Sequence, residues 1–277
     1  MKRIVFLTSI LTENLRARVR FIVRMLIKGV IVLYVSPDSV TKLEKNTLYV
    51  VDSISSYEKV KALNGEALVY IKYETEMDLY PQAKYFVLDA EETELEYYVG
   101  VYKRIVGEPW IMAETERLIL RETIESDIDV FYEMYQNPEM TLYTEGLYTD
   151  KEEEKRYLKE YREKVYETQG FGVWTILRKA DGRVIGRAGL SAREGFDNYE
   201  IGFAVGCDYQ RHGYAKEAVR AILDFAKSHR LGPINALVMK DNAASKCLLT
   251  EAGFKKNSET VLGKIPYEVW VSTPQEV

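Results

Sequence analysis

The sequence predicts an α/β protein in two parts: a small layered domain with a largely parallel sheet over residues 1–110, and an α+β domain with a mixed sheet over residues 111–277. Three observations carry this. The chain has 277 residues, more than the ~100–200 usual for one domain. Its first 110 residues alternate short apolar runs with amphipathic stretches, the pattern of strand–helix units. After Gly107-Glu108-Pro109-Trp110 the rhythm changes to short strands and hairpins around strong helices.

In order, Ile4–Leu7 is a short apolar run that reads as a buried strand. Leu15, Val19, Ile22, Val23 and Leu26 follow at helical spacing and predict an amphipathic helix ended by Gly29. Val30–Val35 predicts a second buried strand, and Leu48–Val51, Ala67–Ile71 and Tyr85–Leu88 three more. Short helical segments fall near Ser39–Glu44 and Tyr57–Leu63, and a longer helix near Glu91–Val106. In the second part, Arg117–Arg121 is a strand and Ser126–Tyr135 a helix. Thr149-Asp150-Lys151-Glu152 fits a capping box before Tyr157, Leu158, Tyr161 and Val165. Gly172–Leu177 and Val184–Leu190 form a hairpin across Lys179–Gly182, and Tyr199–Val205 is a third strand. Ala215–Lys227 is a helix, Ile234–Met239 a buried strand, and Asn242–Glu251 a helix closed by Gly253-Phe254. Val261 and Tyr267–Val271 predict a final hairpin around Pro266.

Composition removes several classes. The chain is 47% hydrophobic and 29% charged, which excludes wholesale disorder, and no apolar stretch approaches the roughly 20 residues of a membrane helix. Lys2-Arg3 before Ile4–Leu7 lacks the cleavage site of a leader, so the protein is expected in the cytoplasm. Cys207 and Cys247 read as buried structural thiols, and two histidines leave little for a metal site; none is expected. The net charge of −5 gives no basic excess for nucleic acid. Residues 1–110 are neutral, with 15 basic and 15 acidic side chains, so the whole excess lies in the second part. In the first part no glycine-rich phosphate loop is present. Asp52 closes a strand as a phosphoacceptor would, but Leu7-Thr8-Ser9 lacks the acidic pair such a site needs. Arg16, Arg20, Arg24 and Lys28 form a stripe that reads either as a solvated helix face or as a phosphate contact.

The informative segment runs Tyr199-Glu200-Ile201-Gly202-Phe203-Ala204-Val205, Gly206-Cys207-Asp208-Tyr209, Gln210-Arg211-His212-Gly213-Tyr214-Ala215. Gln210, Gly213 and Ala215 fill a Q/R-x-x-G-x-G/A pattern between a strand and a helix. Asn242-Ala243-Ala244-Ser245 and Gly253-Phe254 supply an N-x-x-S…G-F block. Together these resemble the GNAT superfamily of N-acetyltransferases over roughly residues 113–272. The opening Arg117–Arg121 with Asp127 is similar to the branch that contains the ribosomal-protein alanine N-acetyltransferases.

The resemblance implies the acyl-CoA N-acyltransferase fold and acetyl-CoA as cosubstrate. Helix N-termini present unpaired N–H groups and a favourable dipole to an anion. The backbone of Arg211, His212, Gly213, Tyr214 and Ala215 is therefore expected at the pyrophosphate, with Arg211 either adding charge or solvated. By the same resemblance, Phe203 and Val205 pair with the pantetheine, and one such N–H stabilises an oxyanion. Asn242 either binds pantetheine, caps its helix, or does both. Acetylation needs a neutral amine, so a base must take a proton; the resemblance implies Glu200, whose other reading is a carboxylate in an ion pair or one that holds the acceptor's ammonium. The position where relatives carry an acidic tyrosine is Leu249 here, leaving Ser245 and Tyr267 as substitutes. The acceptor, a protein N-terminus or a small-molecule amine, is expected near Glu139–Leu147, the helix after Asp150 and the last hairpin, where Tyr143, Tyr148, Tyr157, Tyr161 and Tyr267 either line a pocket or serve as ordinary core residues. A non-catalytic acetyl-CoA sensor, using residues 1–110 to meet a partner, is the competing reading. A homodimer is compatible with the sequence.

Overall fold

The computed structural model describes residues 1–8, 15–144 and 146–272. Ser9 and Glu145, on which parts of the first-strand and acceptor-loop readings fall, lie outside them. The chain divides into two compact units, Met1–Trp110 and Ile111–Val277.

The first unit is built on five parallel strands: β1 (Arg3–Leu7), β2 (Ile31–Val35), β3 (Thr47–Val51), β4 (Leu68–Tyr70) and β5 (Tyr85–Val87), in the order β2-β1-β3-β4-β5. Alternation along the strands sends Ile4, Phe6, Leu48 and Val50 to one face, where they pack on α1 (Leu15–Ile27) and α3 (Leu95–Ile105). Val5, Leu7, Tyr49 and Val51 go to the other, under α2 (Ile54–Ala62). Parallel strands need crossovers; α1 joins β1 to β2, α2 joins β3 to β4, and α3 follows β5.

Three expectations are corrected here. The core face of α1 is Ala17, Phe21 and Met25, while Val19, Val23 and Leu26 are exposed. Val30–Val35 is not buried throughout: β2 is an edge strand, so Ile31 and Leu33 face solvent. The Ser39–Glu44 segment is not an α-helix; only a 3₁₀ turn, Pro37–Ser39, forms there.

The second unit is an eight-stranded sheet flanked by helices. Its elements are β6 (Ile111–Glu114), β7 (Leu118–Arg121), α4 (Glu125–Tyr135), α5 (Lys151–Tyr161), a π-turn (Arg162–Tyr166), α6 (Glu167–Gln169), β8 (Val173–Arg178), β9 (Val184–Ser191), β10 (Glu200–Val205), α7 (Tyr214–Ser228), β11 (Asn235–Met239), α8 (Ala243–Glu251), β12 (Phe254–Leu262) and β13 (Ile265–Ser272). The order is β12-β13-β11-β10-β9-β8-β7-β6. Every pairing is antiparallel except β10 with β11. The core joins Trp174, Ile176, Leu190 and Ile201 of the sheet to Ala218, Val219 and Ile222 of α7.

The cap of α5 is Asp150, whose carboxylate accepts from the Glu152 N–H at 3.0 Å, rather than the expected Thr149. The last hairpin turns at Gly263, in left-handed conformation (φ 61°), and Pro266 lies within β13 opposite Val261. The strand β6 has no counterpart in the sequence reading, because Ile111–Glu114 is half-buried on a sheet edge and lacks a clean alternation.

One polar anchor is buried at the start of this sheet. Arg121 grips Asp127 through two hydrogen bonds of 2.6 and 2.7 Å, and Asp127 also accepts from the Ile124 N–H and the Thr175 hydroxyl. Removing one member of such a pair strands the other charge. Asp127→Ala is therefore expected to lower stability by about 3–5 kcal/mol, read from urea denaturation at neutral pH.

Candidate active site

The site begins where the sheet opens. Strand β10 pairs with β9 along its whole length, from Glu200 opposite Ser191 to Val205 opposite Gly186. On its other side it pairs with β11 at a single rung, Glu200 opposite Asn235. Beyond that rung the two parallel strands part. The Asn235 N–H reaches the Tyr199 carbonyl, and the Gly206 N–H reaches the Ile185 carbonyl on β9. Since backbone direction alternates along a strand, the N–H and C=O groups of Phe203 and Val205 face the opening. The Val205 carbonyl accepts from the Gln210 side chain at 3.0 Å, a contact that ties the following loop to the strand end.

That loop delivers the chain to α7. Cys207–Tyr209 form a 3₁₀ turn, Arg211 has φ 61°, and Gly213 caps the helix at φ 79°, a left-handed conformation. Such a φ is ordinary for glycine and strained for other residues. Gly213, Arg211 and His212 are exposed; Tyr214 and Ala215, the first two residues of α7, are half-buried. The His212 ring is engaged locally, with Nδ1 2.7 Å from the Gln210 carbonyl and the ring stacked near Tyr214.

A clasp fixes this helix end. Glu217 accepts from the Arg117 backbone N–H at 2.9 Å, from its guanidinium at 2.6 Å and from the Thr115 hydroxyl at 2.5 Å. Arg117 also donates to the His212 carbonyl at 3.0 Å and covers the Tyr214 ring. Burial of Glu217 opposes ionisation, but the hydrogen bonds from Thr115 and Arg117 outweigh it and hold the carboxyl below the usual range. With a depressed folded-state pKa, the clasp contributes fully above about pH 4.3, the ordinary glutamate value, and is lost as pH falls through the folded one.

The remaining candidates lie along the two sides of the opening. Asn242 caps α8, its Oδ1 accepting from the Ser245 N–H at 3.0 Å, so the capping reading of Asn242 holds and Ser245 occupies the first helical turn. Tyr267, half-buried, lies on β13 opposite Met239, at the open end of β11. Glu200 is at the closed end, buried, and paired with Arg193. Glu200 and Tyr267 therefore stand at opposite ends of the diverging strands. Leu249 is fully buried in the core, so no acid stands there.

The thiols differ from expectation. Cys247 is exposed on α8 rather than buried. Cys207 is half-buried, and burial, with the Glu139 and Asp208 carboxylates, pushes its pKa up, away from a reactive thiolate. Among the described residues no group of three His, Cys, Asp or Glu is placed to hold a metal, and no helix is long and apolar enough to cross a membrane.

A second cavity, small at about 30 Å³, lies between α4, α5 and the sheet. Tyr157, Tyr161, Tyr166, Glu154 and Arg187 line it. Successive rings of Tyr148, Tyr157, Tyr161 and Tyr166 lie 5.1–5.8 Å apart. The Arg193 partner of Glu200, the Arg117–Glu217 clasp and the Glu154–Arg187 lining were not legible in the sequence. Each joins residues far apart in the chain or in loops, where periodicity carries no signal.

Capping and ligand binding by Asn242 separate by substitution. Asn242→Ala is expected to cost about 1 kcal/mol in urea denaturation, and Asn242→Asp to restore most of it, since both Asn and Asp cap well.

Known proteins match this second unit. The family model "Acetyltransferase (GNAT) domain" matches residues 117–255, half of the chain. The Bacillus subtilis "Uncharacterized N-acetyltransferase YoaA" is 29% identical over 157 residues, covering 56% of this chain and 88% of that protein. The Bacillus licheniformis "Uncharacterized N-acetyltransferase p20" is 30% identical over 145 residues, 51% of this chain and 81% of that protein. In structure, the ribosomal-protein-S5-alanine acetyltransferase from Vibrio fischeri aligns with TM-score 0.51 at 19% identity, covering 59% of this chain and 97% of that one. A GNAT-family acetyltransferase from Bordetella pertussis aligns with TM-score 0.50 at 21% identity, covering 58% and 98%. These last two likenesses bear on the fold alone. Its strands parting beside a glycine-capped helix, and matched by that family model over half its length, the chain belongs to the GNAT family of acetyltransferases.

Proposed function

We propose that the protein transfers the acetyl group of acetyl-CoA to a primary amine, using the opening between β10 and β11. The observation that carries this is the single rung between those strands, followed by unpaired strand edge and a left-handed glycine at a helix N-terminus. The site fits the cosubstrate. The first N–H groups of α7, with the backbone of Arg211, His212 and Gly213, suit a pyrophosphate, and Gly213 adds no side chain there. Phe203 and Val205 offer strand-edge groups to the pantetheine amides, as an added strand would use them. The thioester supplies the activated acetyl group.

The chain's own residues then manage protons. A lysine-type amine has a pKa of about 10.4, so it must lose a proton before it attacks. Glu200 is the proposed base, directly or through water. Its ion pair with Arg193 fixes its direction. Ser245 and Tyr267 are the proposed proton donors to the departing thiolate, both at the open end of the strands. The tyrosine-lined cavity beside Glu154 is the proposed acceptor side: aromatic faces and a carboxylate favour a cation. The amine is a protein N-terminus or a small molecule.

Calorimetric titration of acetyl-CoA tests the site. Wild type is expected to bind, and Gly213→Asp to lose binding while staying folded, because it sets a carboxylate where pyrophosphate should lie and strains φ. Absence of binding to wild type overturns the reading. Glu200→Gln is expected to lower kcat by about 10²–10⁴-fold near neutral pH. The deficit should shrink as pH approaches the amine's own pKa, where no base is needed. An unchanged kcat across pH 6–9 would leave Glu200 with a structural role, as in its ion pair with Arg193. The core leucine at 249 favours one other reading, an acetyl-CoA sensor without turnover. A thiol-release assay over an amine panel separates the two.

A further inference from the structure

The first unit carries a cleft of its own at the carboxyl edge of its parallel sheet. Strand order β2-β1-β3-β4-β5 reverses direction between β1 and β3: the chain leaves β1 toward β2, then crosses back to β3. At such a switch point the crossovers run to opposite faces, so the carboxyl ends of the two strands stand apart and leave a crevice. Here the crevice holds a cavity of about 20 Å³, room for one water-sized group. Its walls are strand ends and their successors: Leu7 and Thr8 after β1, Asp52 after β3, Tyr70 at the end of β4, with Tyr34 from β2 and Arg18 from α1.

There the Asp52 Oδ1 atom and the Tyr34 hydroxyl are shielded from water and have no hydrogen-bond partner among the described residues. A carboxylate oxygen buried without a donor is costly, and native structures avoid it unless something else supplies the donor. The charge around it is uneven. Arg18 stacks on Tyr34 with Cζ 4.9 Å from the ring centroid, and its Nε lies 3.7 Å from Glu91. The Arg18 and Glu91 charges offset each other, leaving the Asp52 carboxylate in excess. Burial, reinforced by Glu91 and opposed by Arg18, pushes the Tyr34 phenol well above its ordinary pKa, so it remains a neutral hydroxyl. Phe6 stacks on Tyr34 at 4.7 Å and fixes the ring.

An anionic ligand suits this crevice badly. It would meet Asp52 and Glu91, and no glycine-rich turn presents backbone N–H groups to a phosphate. A primary ammonium suits it well. It is water-sized, it brings three donors, and it can meet a carboxylate, a hydroxyl and aromatic faces together. We propose that this crevice of the first unit, formed by Asp52, Tyr34, Tyr70 and Arg18, binds a small molecule through a primary ammonium group. The unit is then an amine-binding module, separate from the acetyl-transfer site of the second unit.

The test is calorimetric titration of the full chain with the twenty amino acids, putrescine, spermidine and, as anionic contrast, inorganic phosphate. At least one amine is expected to bind with 1:1 stoichiometry. Asp52→Asn should weaken it about 10- to 100-fold, the scale of one charge-assisted hydrogen bond, while thiol release from acetyl-CoA stays unchanged. Tyr34→Phe, which removes one atom and keeps the ring, should weaken it less and carries the test if Asp52→Asn fails to fold. No amine binding up to 10 mM overturns the proposal. So does amine binding of undiminished affinity in Asp52→Asn, which would place the amine at another site, or saturable binding by phosphate alone. An Asp52→Asn chain that gains stability and loses no binding would show a crevice filled by water.

Discussion

Everything in the second unit turns on the failure of two parallel strands to stay paired. A parallel ladder would satisfy the inward groups of Phe203 and Val205, yet β10 holds β11 at one rung only. The separation is maintained from both sides. On one, β9 pairs with β10 from Ser191 to Gly186 and holds its course. On the other, β13 pairs with β11 over five positions and draws it away. The antiparallel pairings are long and the parallel one is short, so the mismatch in the sheet collects at this boundary. Backbone groups left there need partners, and the side chain of Gln210 meets only one of them, the Val205 carbonyl.

The loop after β10 shows what it takes to keep a helix N-terminus aimed at such an opening. Two departures from ordinary backbone either side of His212, Arg211 at φ 61° and Gly213 at φ 79°, turn the chain within three residues. The non-glycine one carries a cost of order 1 kcal/mol or more. Arg117 and Glu217 offset it by tying the β7 approach, the His212 carbonyl and the first turn of α7 into one hydrogen-bonded unit. This explains why Arg117, which opens the sequence block that resembles the family, belongs with Gly213 although the two are far apart in the chain.

Most strands and both long helices of the second unit were legible, because their signals are local. Apolar runs such as Ile234–Met239 can hardly be anything but buried strand, and Ala218, Val219, Ile222 and Ala226 recur at helical spacing and do form the core face of α7. The misreadings share a cause as well. On α1, two apolar stripes compete, and only the sheet decides that Phe21 and Met25 face inward while Val23 and Leu26 do not. The apolar run of β2 says nothing of its place at the sheet edge, which follows from strand order. Thr149 and Asp150 are both competent caps, one residue apart, and the difference is decided by where the chain enters α5. The motif residues around Gly213 were legible individually; Arg193 beside Glu200 was not, since a loop residue gives no periodic hint of the partner it will meet.

The two units place their candidate sites by one physical rule, although their sheets differ. In an antiparallel sheet each strand's neighbours run back alongside it, and hairpins close its ends. Between parallel strands the chain must leave and return, so the carboxyl ends stay uncapped, with helix starts and loop residues gathered around them. The first unit has five parallel strands and reverses its order once, between β1 and β3; the carboxylate oxygen left without a partner, Asp52 Oδ1, follows that boundary. The second has one parallel pair in eight strands, β10 with β11, and the glycine-capped α7 begins just past it. Topology, then, locates both sites before any side chain is considered. Side chains set the sign of what each can hold. Exposed helix N–H groups and a glycine at α7 favour an anion, whereas Asp52 between aromatic walls favours a cation. One chain can thus carry two sites of opposite preference with the same geometric origin.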